Sequence, residues 1–350
     1  MHAFLKGGSG VTGSTGGEKK KAPPRVLPWI EKYRPKGVND VCAQEEVVAM
    51  LKAVLIEGKE LPNMLFYGPP GTGKTSTILA MARDMFGNLM KERVCELNAS
   101  DERGIAVVRE KVKNFAMTTA NSQRADGKKC PNFKLIILDE ADSMTKSAQE
   151  ALRRTMEVYS KGTRFCLLCN YVSRIIDPIT SRTAKFRFRL LPKEIQYNQI
   201  RHIKEVENVN ISENAVEELI SVAAGDMRRA VNFLQSLHRL HAEEITPDDV
   251  RDVAILCPDG KISEVVNSAR SKSYDNLVSK VKGLLQDGYP ACQFMEQLMD
   301  AIIADEGIED GQKVNIINQI GKADHALTDG SDENVQMMAI VSVLQRELSR

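Results

Sequence analysis

Eight consecutive residues, Gly68-Pro-Pro-Gly-Thr-Gly-Lys-Thr75, match the pattern G-x-x-x-x-G-K-[ST]. Glycines at this spacing let the backbone curl until successive N–H groups face an anion, and the N-terminus of a following helix reinforces that field. The candidate cradle comprises Gly68, Pro69, Pro70, Gly71, Thr72, Gly73, Lys74 and Thr75, with Ser76 opening a helical run to Met85. Lys74 is expected to reach the β- and γ-phosphates of a nucleoside triphosphate such as ATP, and Thr75 to ligate Mg2+. The apolar run Met64-Leu-Phe-Tyr67 immediately before reads as a strand, so the strand–loop–helix context that the pattern requires is present.

A second apolar run, Leu135-Ile-Ile-Leu-Asp-Glu-Ala-Asp142, ends in carboxylates. Asp139 is the expected magnesium-side ligand, directly or through water. Glu140 is the expected group that orients and activates the attacking water, since phosphoryl transfer needs mainly positioning and charge stabilisation. Asp142 is expected to cap the helix that follows. Cys166 and Cys169 form a C-x-x-C, but they lie inside the apolar run Phe165-Cys-Leu-Leu-Cys169 and no second Cys or His pair stands at metal-ligand spacing. Core packing is the expectation there.

The elements that must hold these groups follow from periodicity. Met64–Tyr67, Val94–Leu97, Leu135–Leu138, Phe165–Leu168 and Phe186–Phe188 are short apolar runs that alternate with helical patterns. That alternation predicts an α/β fold with a mostly parallel sheet between helices over residues 25–189. Residues 190–256 read as a small helical lid, with Ser212 capping one helix, and 257–350 as an all-α domain. On its last helix Met337, Val341, Leu344 and Leu348 form an apolar stripe that suits either core or an oligomerisation collar. Residues 1–24, rich in Gly, Ser, Thr and Lys, predict a disordered tail, in which Lys19-Lys-Lys21 is too short to count as an import signal.

Composition sets outer bounds. The 350 residues carry 48 Lys plus Arg against 47 Asp plus Glu, a net charge of +1, so any nucleic-acid surface must be a local patch. No apolar run approaches a membrane span and the first residues lack a secretory pattern, which predicts an intracellular chain without a membrane partner. Seven scattered cysteines predict reduced thiols rather than a disulfide framework.

Four further segments, spread over most of residues 29–230, resemble the small subunits of replication factor C, a clamp loader of the AAA+ ATPase family. Trp29-Ile-Glu-Lys-Tyr-Arg-Pro35, which by itself reads as a linker, is similar to the family segment that packs on adenine, implying Ile30 and Arg34 near base and ribose. Asn98-Ala-Ser-Asp-Glu-Arg-Gly104 resembles the lead into a helix lining a DNA channel. It implies Arg103, Arg109 and Lys113 as DNA contacts, and Arg174 in Asn170-Tyr-Val-Ser-Arg174 as another; on charge alone the first three read as a solvated surface helix. Asn170 stands where the family places a γ-phosphate sensor. Ser181-Arg-Thr183 resembles the Ser-Arg-Cys motif, with Thr in place of Cys, implying that Arg182 acts in trans as an arginine finger. Gly225-Asp-Met-Arg-Arg229 resembles the second sensor, implying Arg228 near the γ-phosphate. Among small subunits, runs such as Asn63-Met-Leu-Phe-Tyr-Gly68 look most like the fourth type.

The resemblance implies an AAA+ P-loop domain followed by a helical lid and an all-α collar. It implies a heteropentamer with other replication factor C subunits that hydrolyses ATP with Mg2+, opens the sliding clamp (PCNA) and loads it on primer-template DNA without sequence preference, in the nucleus. Two rivals share the ATPase core. A protein remodeller would place an aromatic residue on the pore segment, where Ala99-Ser-Asp-Glu-Arg-Gly-Ile105 has none, and a scaffold would bind ATP with little hydrolysis.

Overall fold

The structure is a computed structural model that describes residues 27–41, 44–57, 60–100, 105–118, 130–241, 243–271 and 273–349. The predicted tail lies outside the described residues.

Five strands build one sheet: β1 (Met64–Tyr67), β2 (Val94–Asn98), β3 (Lys134–Asp139), β4 (Thr163–Cys169) and β5 (Ala184–Arg187). The order is β2-β3-β4-β1-β5, and every pairing is parallel. Parallel strands covered on both faces are apolar throughout, which is why β3 and β4 read as continuous hydrophobic runs instead of alternating ones. Successive side chains point to opposite faces. Met64, Phe66, Leu135 and Ile137 therefore join one core with Ile78 and Met81 of helix Lys74–Phe86. Leu65, Ile136 and Leu138 join the other core, with Leu152 and Met156 of helix Lys146–Val158. The same period separates the C-x-x-C. Cys166 belongs to the first core and Cys169 to the second, so the two thiols cannot share a ligand. Burial pushes the Cys169 thiol up to about 12, with the Asp142 carboxylate adding to it and Lys74 opposing, and burial raises Cys166 as well.

Four helices follow the sheet, Lys193–Glu207, Glu213–Ala223, Met227–Leu240 and Pro247–Val253, and share an apolar cluster. Ser212 caps the second of them, its hydroxyl accepting from the Ala215 N–H, as its position predicts. Five more helices from Asp259 to Leu348 enclose a separate cluster. The stripe of the last helix lies within it: Met337, Val341 and Leu344 are buried there and Leu348 packs against them. Among the described residues no helix is long and apolar enough to cross a membrane.

One sequence expectation is corrected. Asp142 does not cap helix Lys146–Val158; Thr145 does, accepting from the Ala148 N–H at 3.3 Å. Asp142 sits in the short 3-10 turn Ala141–Ser143, and its Oδ2 accepts the N–H groups of Asn170 and Tyr171, both at 3.1 Å. The turn precedes the N-cap position held by Thr145 and directs the Asp142 carboxylate to the end of β4 instead of to the N–H groups of the helix. Asp142 and Thr145 therefore have different predicted costs. Thr145→Ala removes one cap and should lower unfolding free energy by about 1 kcal/mol. Asp142→Ala leaves two N–H groups without their acceptor and should cost about 2–3 kcal/mol. Paired urea melts measure both, and equal midpoints would contradict this reading of Asp142.

Candidate nucleotide-binding site

In open parallel sheets, ligands collect outside the carboxyl ends of the strands where the strand order reverses. Here β1, β3 and β4 deliver Gly68, Asp139–Glu140 and Asn170 to that edge side by side, with Tyr67 in register with Cys169. Gly68 has φ 148°, and a β-carbon on it would overlap the carbonyl oxygen of Phe188, so only glycine lets the loop leave β1 this close to the end of β5. The loop then delivers Lys74 and Thr75 as the first two residues of helix Lys74–Phe86.

Lys74 is buried, at 8% exposure. An ammonium has three donors, and all three are used. Nζ donates to Gly68 O at 2.7 Å, to Pro69 O at 2.8 Å and to Asn170 Oδ1 at 2.8 Å. Burial lowers its pKa, the Asp139 carboxylate opposes that most strongly, and the Arg228 guanidinium adds to the lowering. Thr75 Oγ1 donates to Asp139 Oδ2 at 2.8 Å, so a hydroxyl and a carboxylate oxygen stand together. Two hard oxygen donors at the mouth of a phosphate loop match what Mg2+ takes from proteins when substrate phosphates supply the rest.

Glu140 has φ 52° and ψ 40°, the left-handed conformation that costs a residue with a β-carbon roughly 1–2 kcal/mol. Its neighbours hold it there. The Glu140 N–H donates to Asp139 Oδ1 at 2.8 Å, while its carbonyl accepts from the Ser143 hydroxyl at 2.7 Å and the Ser143 N–H at 2.9 Å. The side chain itself is exposed, at the mouth of the pocket. Asn208, Ala224 and Ile255 are also left-handed, but of the described non-glycine residues with positive φ only Glu140 lines the cavity.

One cavity contains these groups. It is lined by Pro70, Gly71, Thr72, Gly73, Lys74, Thr75, Ser76, Asp139, Glu140 and Asn170 from the sheet side. Ile30 and Arg34 line it from the N-terminal segment and Arg228 from the helical lid. Gly68 and Pro69 do not line it; their carbonyls hold Lys74 from behind. Sequence reasoning missed the apolar part of the wall, including Leu191, Ile195, Met227 and Val231. Met227 and Val231 are four residues apart on one helix, a spacing that could have marked a helix face but not which cavity it faces, whereas Leu191 lies in the connector before the helix of Ile195. It also missed how Trp29–Lys32 is held. That short helix docks on the lid through the Trp29 N–H to Gln235 Oε1 at 3.1 Å, and through Lys32 and Tyr33, which both donate to Glu207. Trp29 is buried in the lid cluster, and its ring lies 5.4 Å from that of His238.

Two family models match the chain. The ATPase family associated with various cellular activities covers residues 64–191, and the replication factor C C-terminal domain covers 257–343. Replication factor C subunit 4 of Homo sapiens is 52% identical, with 100% of this chain and 99% of that protein aligned. The chain belongs to the replication factor C small-subunit family. Its relatives extend to a replication factor C small subunit of Archaeoglobus fulgidus, 42% identical over 90% of this chain and 96% of that one. A solved structure, the Thermotoga maritima RuvB Holliday junction branch migration motor, aligns with a TM-score of 0.52 at 15% identity, over 76% of this chain and 91% of that one. At that identity the likeness shows the AAA+ fold alone. The chain is accordingly an AAA+ ATPase and a subunit of the hetero-oligomeric clamp loader.

Of the remaining residues marked by the replication factor C resemblance, Arg174, Lys113 and Arg182 are described and are not among those lining the cavity. Arg182 is exposed and does not line it. Its guanidinium pairs with Glu157 at 2.8 Å and donates to Pro178 O at 2.8 Å, and Glu157 also pairs with Arg153 at 3.0 Å. Arg174 is exposed on the turn Val172–Arg174, its guanidinium 5.1 Å from the Tyr171 ring centroid. Lys113 is exposed on helix Ile105–Met117. Arg103 lies outside the described residues, and Arg109 is on that helix without a described side chain. Gln149 escaped the sequence reading. Buried at 1% exposure, it donates to Met144 O and Arg174 O and accepts from the Ile176 N–H, binding the helix after the acidic pair to the segment after Asn170.

Proposed function

We propose that this subunit holds ATP and Mg2+ in the cavity and contributes one composite catalytic site to the clamp loader. The loader opens the sliding clamp and loads it on primer-template DNA in the nucleus. The observation that carries the reading is the linked set Thr75–Asp139 and Lys74–Asn170, with Arg182 presented outside the same chain's cavity.

Adenine and ribose lie against Ile30 and Arg34, and the triphosphate lies along the loop from Gly68 to Ser76, whose backbone N–H groups and helix N-terminus favour an anion. Lys74 exchanges carbonyl partners for β- and γ-phosphate oxygens, a trade of neutral acceptors for charged ones that strengthens each hydrogen bond. Thr75 and Asp139 hold Mg2+, which supplies charge neutralisation on the phosphate oxygens. Glu140 orients the attacking water and takes its proton. Asn170, already bonded to Lys74, ties the γ-phosphate to the end of β4, and Arg228 approaches it from the lid. Arg182 stabilises the transition state at the neighbouring subunit's site, the role of an arginine finger supplied in trans. Arg103, Arg109, Lys113 and Arg174 contact DNA phosphates. Such contacts fix position without reading sequence, as loading at any primer end requires. The eukaryotic relatives support the nuclear assignment.

The test is turnover by the chain alone and co-assembled with the other subunits, with and without primed DNA and clamp. Low activity alone and strong stimulation in the complete mixture is the expected result. A lone chain that turns over as fast as the complex would overturn the composite site.

A further inference from the structure

The glycine at position 71 of the phosphate loop leaves room for a carboxylate of the lid. A β-carbon built on Gly71 would overlap Asp226 Oδ1 and crowd Oδ2, so the Asp226 carboxylate lies directly against the loop backbone. The same Oδ1 accepts the N–H groups of Arg228 at 2.8 Å and Arg229 at 3.1 Å, capping helix Met227–Leu240. Two left-handed residues, Ala224 at φ 49° and Gly225 at φ 89°, turn the chain into that position, and a β-carbon on Gly225 would collide with Leu190 in the connector from β5 to the lid. Arg228 thus follows Asp226 by two residues on a helix whose first turn is fixed by the atom that meets Gly71.

A cap on an ordinary surface helix faces water. Here it faces the loop that must take the phosphates, and the arginine it orients lines the cavity. We propose that Asp226 is a positioning residue that registers the lid on the phosphate loop, so that Arg228 is aimed at the γ-phosphate only while Oδ1 is seated against Gly71. This rests on the reading of Arg228 given above. Its consequence is selective. ATP and ADP share the loop, but only ATP presents the group at which Arg228 is aimed, so loss of registration should weaken ATP and spare ADP.

The experiment measures binding of a non-hydrolysable ATP analogue and of ADP to the full chain carrying Asp226→Ala, Asp226→Asn, Arg228→Ala or both alanines, with melting temperature followed for each. Asp226→Ala is expected to weaken the ATP analogue roughly fivefold to tenfold, the scale of one lost cap, while changing ADP by less than about twofold. Asp226→Asn keeps an acceptor oxygen in the same place and should restore wild-type discrimination, because Asn caps as well as Asp. The double alanine variant should match Arg228→Ala, since residues acting through one another are not additive. Thr145→Ala, a cap lost elsewhere, should leave both affinities unchanged. If Arg228→Ala itself spares the ATP analogue, the reading of Arg228 falls. If Arg228→Ala weakens it and Asp226→Ala weakens both nucleotides alike, or multiplies the effect of Arg228→Ala, Asp226 is a stability cap and the registration proposal is overturned.

Discussion

Glu140→Gln should cut ATP hydrolysis by the assembled complex at this site by roughly 100- to 10,000-fold, the range lost when a positioned general base is removed. Nucleotide affinity should change little. The substitution preserves size and leaves the backbone contacts intact, because the groups holding the left-handed residue are its own N–H and carbonyl, bonded to Asp139 and Ser143. Lys74, Thr75 and Asp139, which hold phosphate and metal in the proposed mechanism, are untouched. Single-turnover hydrolysis with pre-bound ATP measures the chemical step directly. Unchanged turnover at this site would move the activating role to another group, and normal clamp loading by the variant complex would favour the ATP-binding scaffold. Lost binding would mean that Glu140 belongs to the binding shell.

Arg182→Ala is the second large effect, and it should appear at another subunit's nucleotide. Removing an arginine finger costs on the order of 1,000-fold or more in the chemical step. This chain's own affinity for ATP should be unaffected, since Arg182 does not line its cavity. The clean measurement uses complexes in which only the interface faced by Arg182 keeps an intact phosphate-loop lysine, so that its turnover is read alone. In the isolated chain the guanidinium is occupied by Glu157 and the Pro178 carbonyl. An exposed pair of this kind is worth at most about 1 kcal/mol, so a triphosphate with its metal readily outcompetes it. Turnover unchanged at that interface, or lost at this chain's own site, would remove Arg182 from its trans role.

The first expectation starts from motifs that are legible because they are local. The phosphate loop spans eight residues whose conformation and charge are set by their own types, and the acidic pair ends a strand whose apolar run is equally local. The inner strands β1, β3 and β4 were legible for the same reason, as apolar runs buried on both faces, whereas the edge strands β2 and β5 carry exposed Glu96, Lys185 and Arg187. Arg34 and Arg182 were legible only through family resemblance, because one arginine looks like any surface charge until its surroundings are known.

What the chain determined by itself, then, is the candidate phosphate loop, the acidic pair and the strands that present them, since those depend on residue type and short spacing. Tertiary structure decided which neighbours each group has. Asp142 read as a cap and became the acceptor for the backbone 28 and 29 residues later, because the strand order brings β3 and β4 together. Trp29 read as part of a linker and became a piece of the lid core, bonded 206 residues away to Gln235. Asp226 is unmarked in sequence beyond its place in the segment Gly225–Arg229, and only the seating of the lid puts its oxygen on Gly71. Such pairings join residues far apart in the chain through packed surfaces, and no local periodicity encodes which surfaces meet.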